Sequence, residues 1–382
     1  MKYRKILSSL FFIYSSCGYA NSLSYGDLVI PDQSGKVITV NGPIEPSQLG
    51  ATLMHEHLLV DLRHGRKKNN LKEEPKREKF SLYSRSQTYT VGDLDSSYVH
   101  NVKDAVKEVT LYKNLGGKSI VDVSTINMNR KPYSIQKIAQ ATNVNIVMAT
   151  GFYHSSYHPD DMDQRSLDNL VATMVDEIVN GINGSDIKAG IIGEVGVHDF
   201  TLTPVESNDV RSLRASARAS QLTGAAISLS LHGNPYRPEI WHAILDILEE
   251  EGADLSRVII GHVGAIAAKD IIFLEGLLAR GVYLQFDLLG WPPAPLMPIV
   301  DQRPMLEGIV NLIKNGHSKK ILVSQDAFTK AHKAKNGGWG MTFVHTALLP
   351  YLRDKGVTGT DIKNILESNP RRILTFLEPR II

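Results

Sequence analysis

Short apolar runs alternate with helical patterns along this chain, and that alternation restricts the folds open to it more than any other feature. The runs are Thr52–Leu58 (TLMHEHL), Lys118–Ser124 (KSIVDVS), Asn145–Thr150 (NIVMAT), Lys188–Gly196 (KAGIIGEVG), Ala226–His232 (AISLSLH), Arg257–His262 (RVIIGH), Val282–Asp287 (VYLQFD) and Lys320–Asp326 (KILVSQD). Runs of this length and apolarity read as strands covered on both faces. Between them lie amphipathic stretches; over Pro238–Glu251, Ile240, Ala243, Ile244, Ile247 and Leu248 form one stripe opposite a glutamate-rich face. Eight strands separated by helices predict a (β/α)8 barrel, here one domain over residues 42–382. A doubly wound sheet competes, but no Gly-x-Gly-x-x-Gly follows an early strand.

In a barrel the carboxyl ends of all strands meet at one mouth. The residues at those ends are His55, His57, Glu194, His232, His262 and Asp326, each of a metal-ligating type. His55 and His57 are two apart, so a strand turns both to one side. Four histidines and two carboxylates exceed the needs of one four-coordinate zinc with an open position. They suit two divalent ions about 3.5 to 4 Å apart that share a carboxylate. Glu194 is the expected bridge, with His55, His57 and Asp326 on one ion and His232 and His262 on the other. Zinc is the first expectation; manganese, cobalt and iron accept the same donors. Cysteine ligation is excluded, because Cys17 is the only cysteine and lies in the leader.

That leader is residues 1–20: Lys2, Arg4 and Lys5, then an apolar run to Gly18 and a small Ala20, the pattern of a secretory signal peptide. The run is too short to span a bilayer, so no stable membrane insertion is expected. Periplasmic or secreted location is the expectation, with a lipoprotein anchored at Cys17 as the lesser alternative. Without the leader, Lys plus Arg falls from 42 to 39 against 40 acidic residues. No basic patch remains for nucleic acid, which leaves a small-molecule substrate as the expected partner. Residues 21–41 read as a lead-in, and His64 to Lys79 as a solvated insertion. Candidate pocket residues lie in loops after the strands: Tyr153 and His154 in FYHSSYHP, Arg237 after the fifth strand, Trp291 in the proline-rich GWPPAP, and Trp339 in NGGWG. His100, His242, His317 and His345 read as surface or helix positions.

Several ordered motifs resemble the phosphotriesterase family of the amidohydrolase superfamily: GPIEPSQLGATLMHEHLLVD, SIVDVST, KAGIIGEVG, SRVIIGH, ILVSQDAFTKAHKAKNGGWG and the closing ESNPRRIL. The resemblance covers roughly residues 40–376. It implies a distorted TIM barrel with a binuclear, usually zinc, centre whose ligands fall on the same six positions, and a possible homodimer. Two departures narrow it. Founding members bridge their metals with a carbamylated lysine, whereas the fourth strand here ends Gly193-Glu194-Val195, with Lys188 too early to serve. This resembles the phosphotriesterase-homology and phosphotriesterase-related branches, which bridge with glutamate. Efficient organophosphate hydrolases also carry a histidine after the strand-seven aspartate and an acid after the strand-six histidine; here Leu288 follows Asp287, and Val263, Gly264 and Ala265 follow His262. The expected reaction is therefore hydrolysis of a carboxylic ester, lactone or N-acyl amide, with Asp326 carrying the proton from the attacking water to the leaving group. An organophosphate triesterase or quorum-quenching lactonase is the alternative, and a metal-holding binding protein without turnover is a third reading.

Overall fold

The computed structural model describes residues 24–68, 94–198, 200, 206–232, 237–291 and 302–380. The expected leader, the greater part of the His64–Lys79 insertion, and GWPPAP beyond Trp291 lie outside the described residues. Eight strands, β1 Thr52–Glu56, β2 Ser119–Asp122, β3 Asn145–Thr150, β4 Ile191–Val197, β5 Ile227–Leu231, β6 Val258–Ile260, β7 Tyr283–Phe286 and β8 Ile321–Val323, pair in sequence order. Every pairing is parallel, and helices such as Val102–Asn114, Leu167–Val179 and Pro238–Glu250 fill the crossovers. Local chemistry fixes where helices begin: Asn101, Ser166 and Ser207 each accept from a backbone N–H of the first turn, and Pro132 and Pro238 open theirs.

The barrel closes between β8 and β1 through individual hydrogen bonds. Asp326 N donates to His55 O at 3.0 Å, and His55 N to Ser324 Oγ at 2.9 Å. The carboxylate of Glu56, wholly buried, accepts from Ser324 Oγ and Gln325 N at 2.8 Å and from Ala327 N at 3.0 Å. Burial, reinforced by Asp326, pushes its carboxyl up to about 7.

Strand alternation sorts the core. Met54, Val121, Val147, Ile191, Ile259 and Leu322 form a cluster inside the barrel with Val37, Leu49, Ile373 and Leu374. Leu53, Ile120, Ile146, Ile192 and Ile260 pack instead with the helices. Two strands break this alternation. Leu53 pairs with Ile120 but Glu56 with Asp122, so β1 carries one extra residue there. Likewise Ile192 pairs with Ile227 and Val195 with Leu229, so β4 carries one extra residue next to Glu194. Gly193 makes the second bulge possible: its φ is +115°, and a Cβ would stand 2.2 Å from Ser228 O.

Ahead of the barrel lies a hairpin, Val37–Thr39 with Gly42–Ile44. It sits under the barrel, with Val40 N donating to Ile146 O and Gly35 N to Phe376 O. The boundary placed at residue 42 thus falls at the turn of one structural unit. In the polar insertion, Arg63–Lys68 forms a short helix rather than a loop.

Candidate metal centre

Five of the six expected ligands converge at the mouth with donor atoms facing one another. His57 Nε2 lies 3.3 Å from Asp326 Oδ1, and His55 Nε2 3.6 Å from Glu194 Oε2. His262 Nε2 is 3.2 Å from Glu194 Oε1. The donor atoms of His55, His57 and Asp326 all lie within 4.8 Å of one another, as do those of His55, Glu194 and His262. His232 stands at the edge, with Nε2 3.8 Å from Glu194 Oε1 and 2.8 Å from Ser230 Oγ. Each oxygen of Glu194 therefore faces a different set of imidazoles.

His55 Nε2 and Asp326 Oδ1 are buried and have no hydrogen-bond partner among the described residues. An unsatisfied imidazole nitrogen and carboxylate oxygen, buried 3.9 Å apart, cost free energy. A cation coordinated between them removes that cost, so the donor set fits divalent metal. The backbone is bent to the same end: His262 and Asp326 hold positive φ of 58° and 47°, which non-glycine residues adopt at a cost.

A second layer orients the imidazoles. Asp287 Oδ2 lies 3.2 Å from His55 Nδ1, and Asp287 Oδ1 lies 2.9 Å from His262 Nδ1 and accepts from His262 N. Gln285 Nε2 donates to Asp287 Oδ2 at 2.9 Å, and Ser124 Oγ sits 2.9 Å from His57 Nδ1. A proton on Nδ1 of His57 and His262 leaves Nε2 of those rings to ligate, while His55 Nδ1 also meets Gln285 Nε2 at 2.7 Å. Sequence reasoning had weighed Asp287 only through its missing relay neighbour and had passed over Gln285. Their signal was present in VYLQFD, where polar residues take alternate positions of an apolar strand.

Burial alone would depress the imidazole of His55, but Glu194 and Asp287 override it and raise it to about 9. His262 is likewise raised well above its ordinary value by Asp287 and Glu194 against the effect of burial. Burial would raise Glu194, and His55 and His262 hold it well below the ordinary carboxylate range. Without metal, protons on His55 and His262 thus supply the positive charge the carboxylates demand. Ligation requires the neutral rings, so metal uptake at pH 7 releases protons, and affinity climbs as pH rises towards 9. Calorimetric titrations in buffers of different ionisation enthalpy measure this; a binding heat independent of buffer would contradict it.

The expected pocket residues divide. Tyr153 and His154 both pack on His232, ring centroids 4.7 Å away, and His154, nine-tenths buried, is held to about 3 by burial and by His198. Trp291 is buried, donates from Nε1 to Gln325 O and stacks on His332, while Phe328 stands 6.2 Å from His57. The other two have their contacts elsewhere. Arg237 is half exposed and pairs with Glu239, and Trp339, 48% exposed, meets Phe343. Among the remaining histidines, His100 stacks on Tyr98 and His345 packs on Tyr112.

The sequence matches the description of the phosphotriesterase family over residues 35–374. The chain belongs to the phosphotriesterase family. An N-acetyltaurine hydrolase of Dictyostelium discoideum is 33% identical across 91% of this chain and 100% of its own length. A phosphotriesterase-related protein of Nematostella vectensis is 32% identical, covering 90% and 99%. Among solved structures, a resiniferatoxin-binding protein from Rhodobacter sphaeroides superposes with a TM-score of 0.80 at 30% identity, covering 92% of this chain and 98% of that one. As a hydrolase of the phosphotriesterase family, the chain departs from the lysine-bridged pattern in the way its geometry explains. Glu194 stands between the four imidazoles, while Lys188 lines a cavity with Ile38, Thr39 and Pro43 beside the hairpin at the far end of the barrel. No helix among the described residues is long and apolar enough to cross a membrane.

Proposed function

We propose that this chain is an exported binuclear zinc hydrolase that cleaves an N-acyl amide, with carboxylic esters and lactones as slower substrates. The observation that carries the reading is Glu194, whose two oxygens face His55 and His57 on one side and His232 and His262 on the other. The N-acetyltaurine hydrolases among its full-length relatives support an amide substrate, and the leader read at residues 1–20 supports export. The donor set of imidazoles and carboxylates suits zinc, as it does manganese, cobalt and iron, held by His55, His57 and Asp326 at one position and by His232 and His262 at the other, with Glu194 between.

Bound there, two divalent ions would polarise the substrate oxygen and lower the pKa of an intervening water. The rest falls to side chains of this chain. Asp326, whose Oδ1 stands 3.3 Å from His57 Nε2 at the centre of the mouth, is placed to accept the proton of the attacking water and deliver it to the leaving nitrogen. The C–O bond forms, the C–N bond breaks, and a carboxylic acid and an amine leave. Asp287 keeps His55 and His262 in fixed orientation and stays out of proton transfer, since both its oxygens are already engaged. Tyr153 beside His232 and Phe328 beside His57 flank the space for substrate.

The test is a panel of N-acetyltaurine, other N-acyl amines, a lactone, an aryl ester and a phosphotriester, run on zinc-reconstituted and chelator-stripped protein. N-acyl amides should turn over fastest, and only with metal. A phosphotriester preferred over every amide would favour the organophosphate hydrolase; no turnover with zinc, manganese or cobalt would favour a metal-holding binding protein.

A further inference from the structure

Lys333 lies behind the metal centre, and its environment is unusual for a lysine. It is only 5% exposed, and its ammonium donates to Ala327 O at 2.7 Å and His57 O at 3.4 Å. Among the described residues these two carbonyls accept from no other donor, and Lys333 has no carboxylate in salt-bridge contact. One carbonyl belongs to His57, the other to the residue following Asp326. The two segments joined in this way are those that follow β1 and β8, where the barrel closes without a regular strand ladder.

The lysine is itself braced. Glu108, buried on the helix Val102–Asn114, accepts from Ala334 N at 3.1 Å and Lys335 N at 3.4 Å. The 3-10 turn Lys330–His332 precedes it, tied to Ser96 through Lys330 N and Ala331 N. Its backbone is thus fixed from both sides and its side chain pushed inward between the two strand ends. Burial pushes the ammonium below its ordinary value, and the acids Glu108, Glu56, Asp122 and Asp326 around it partly offset that by favouring the cation. A cavity of about 240 Å3, lined by Lys333, Asn101, Asp104 and Asn336, adjoins it on the solvent side.

We propose that Lys333 is a positioning residue of the metal centre: by holding the His57 and Ala327 carbonyls on one ammonium, it sets the separation at which His57 and Asp326 grip their ion. The proposal rests on the metal-centre reading given above. Loss of a group just outside the ligands lowers metal affinity or activity about 10- to 100-fold. Lys333→Met, nearly isosteric and uncharged, should weaken by that factor the ion held by His57 and Asp326 and leave the second ion almost unaffected.

The experiment is cobalt titration of chelator-stripped full-length protein, following the visible spectrum and competing with a chromophoric chelator, for wild type and Lys333→Met. Thermal melts of the metal-free proteins and kcat and KM on the best substrate accompany it. The expected result is one weakened cobalt equivalent with an altered spectrum, and a fall in kcat that exceeds any change in KM. Unchanged cobalt affinity and spectrum with only a lower melting temperature would make Lys333 a packing residue and overturn the proposal. Tighter cobalt binding would overturn it too, since it would show a cation that merely repels the ion. Should the methionine variant not fold, Lys333→Gln, which keeps an N–H donor, decides by the same two spectral readouts. If wild type binds one ion rather than two, the binuclear reading fails, and Lys333 is still judged on the affinity of that ion.

Discussion

Glu194→Ala will bring bound divalent metal from two equivalents per chain to one or none and will lower hydrolysis by more than about 100-fold, the upper limit usual for groups that only support a ligand. The reason is geometric. Both oxygens of Glu194 are committed, Oε1 towards His232 and His262 and Oε2 towards His55 and His57. Alanine removes the only carboxylate among the described residues that faces all four rings, and it leaves His262 beside Asp287, and His55 beside Asp287 and Asp326. Elemental analysis of purified wild type and variant reads the outcome directly. One equivalent in wild type, unchanged in the variant, would sink the binuclear assignment and point to a mononuclear hydrolase or deaminase of the wider superfamily.

The largest expected loss of stability lies away from the metals. Arg130 and Glu177 form a bidentate pair, Nη1 to Oε2 at 2.7 Å and Nη2 to Oε1 at 2.6 Å, with both residues buried. Thr150 Oγ1 also donates to Glu177 at 2.6 Å, and Arg130 to Ala149 O at 2.9 Å. This network ties the end of β3 to the helix Leu167–Val179 just before the loop carrying Tyr153 and His154. Glu177→Ala strands a buried guanidinium, so the expected cost is about 3 to 5 kcal/mol. A double replacement of the pair by methionine and leucine should recover much of that loss, because the desolvation of both charges disappears with them. Urea unfolding at equal metal loading checks both; a loss under about 1 kcal/mol for Glu177→Ala would place the pair with solvent-screened surface bridges.

Much of the mouth was legible because ligands sit at strand ends, where a barrel collects them whatever its loops do. The runs ending in His232, His262 and Asp326 needed only the count of strands to become a site. Tyr153 and His154 follow β3 directly and pack on His232. The contacts of Arg237 and Trp339 are with Glu239 and Phe343, and a residue several positions beyond its strand takes a place that depends on what its loop packs against. Glu56 was passed over because it faces away from its histidine neighbours; its role as the acceptor that closes the barrel depends on Ser324, Gln325 and Ala327, more than 260 residues away in the chain. Lys333 carried no sequence signal at all, because a lysine in a polar stretch reads as solvated until the carbonyls it meets are known.

The sequence by itself determined the barrel, through eight apolar runs whose burial demands helices on the outside, and the candidate metal donors at their ends. Which way two of those donors face was decided only in three dimensions. Strict alternation would send His55 outward with Leu53 and Glu194 outward with Ile192, towards the helices. One extra residue in β1 and one in β4 reverse the alternation and turn both side chains into the mouth. Positive φ at His262 and Asp326 brings the strand-six and strand-eight donors to the same point. A bulge and a left-handed residue each cost free energy locally, and only the packing of neighbouring strands together with the pull of the shared site makes them the preferred conformation.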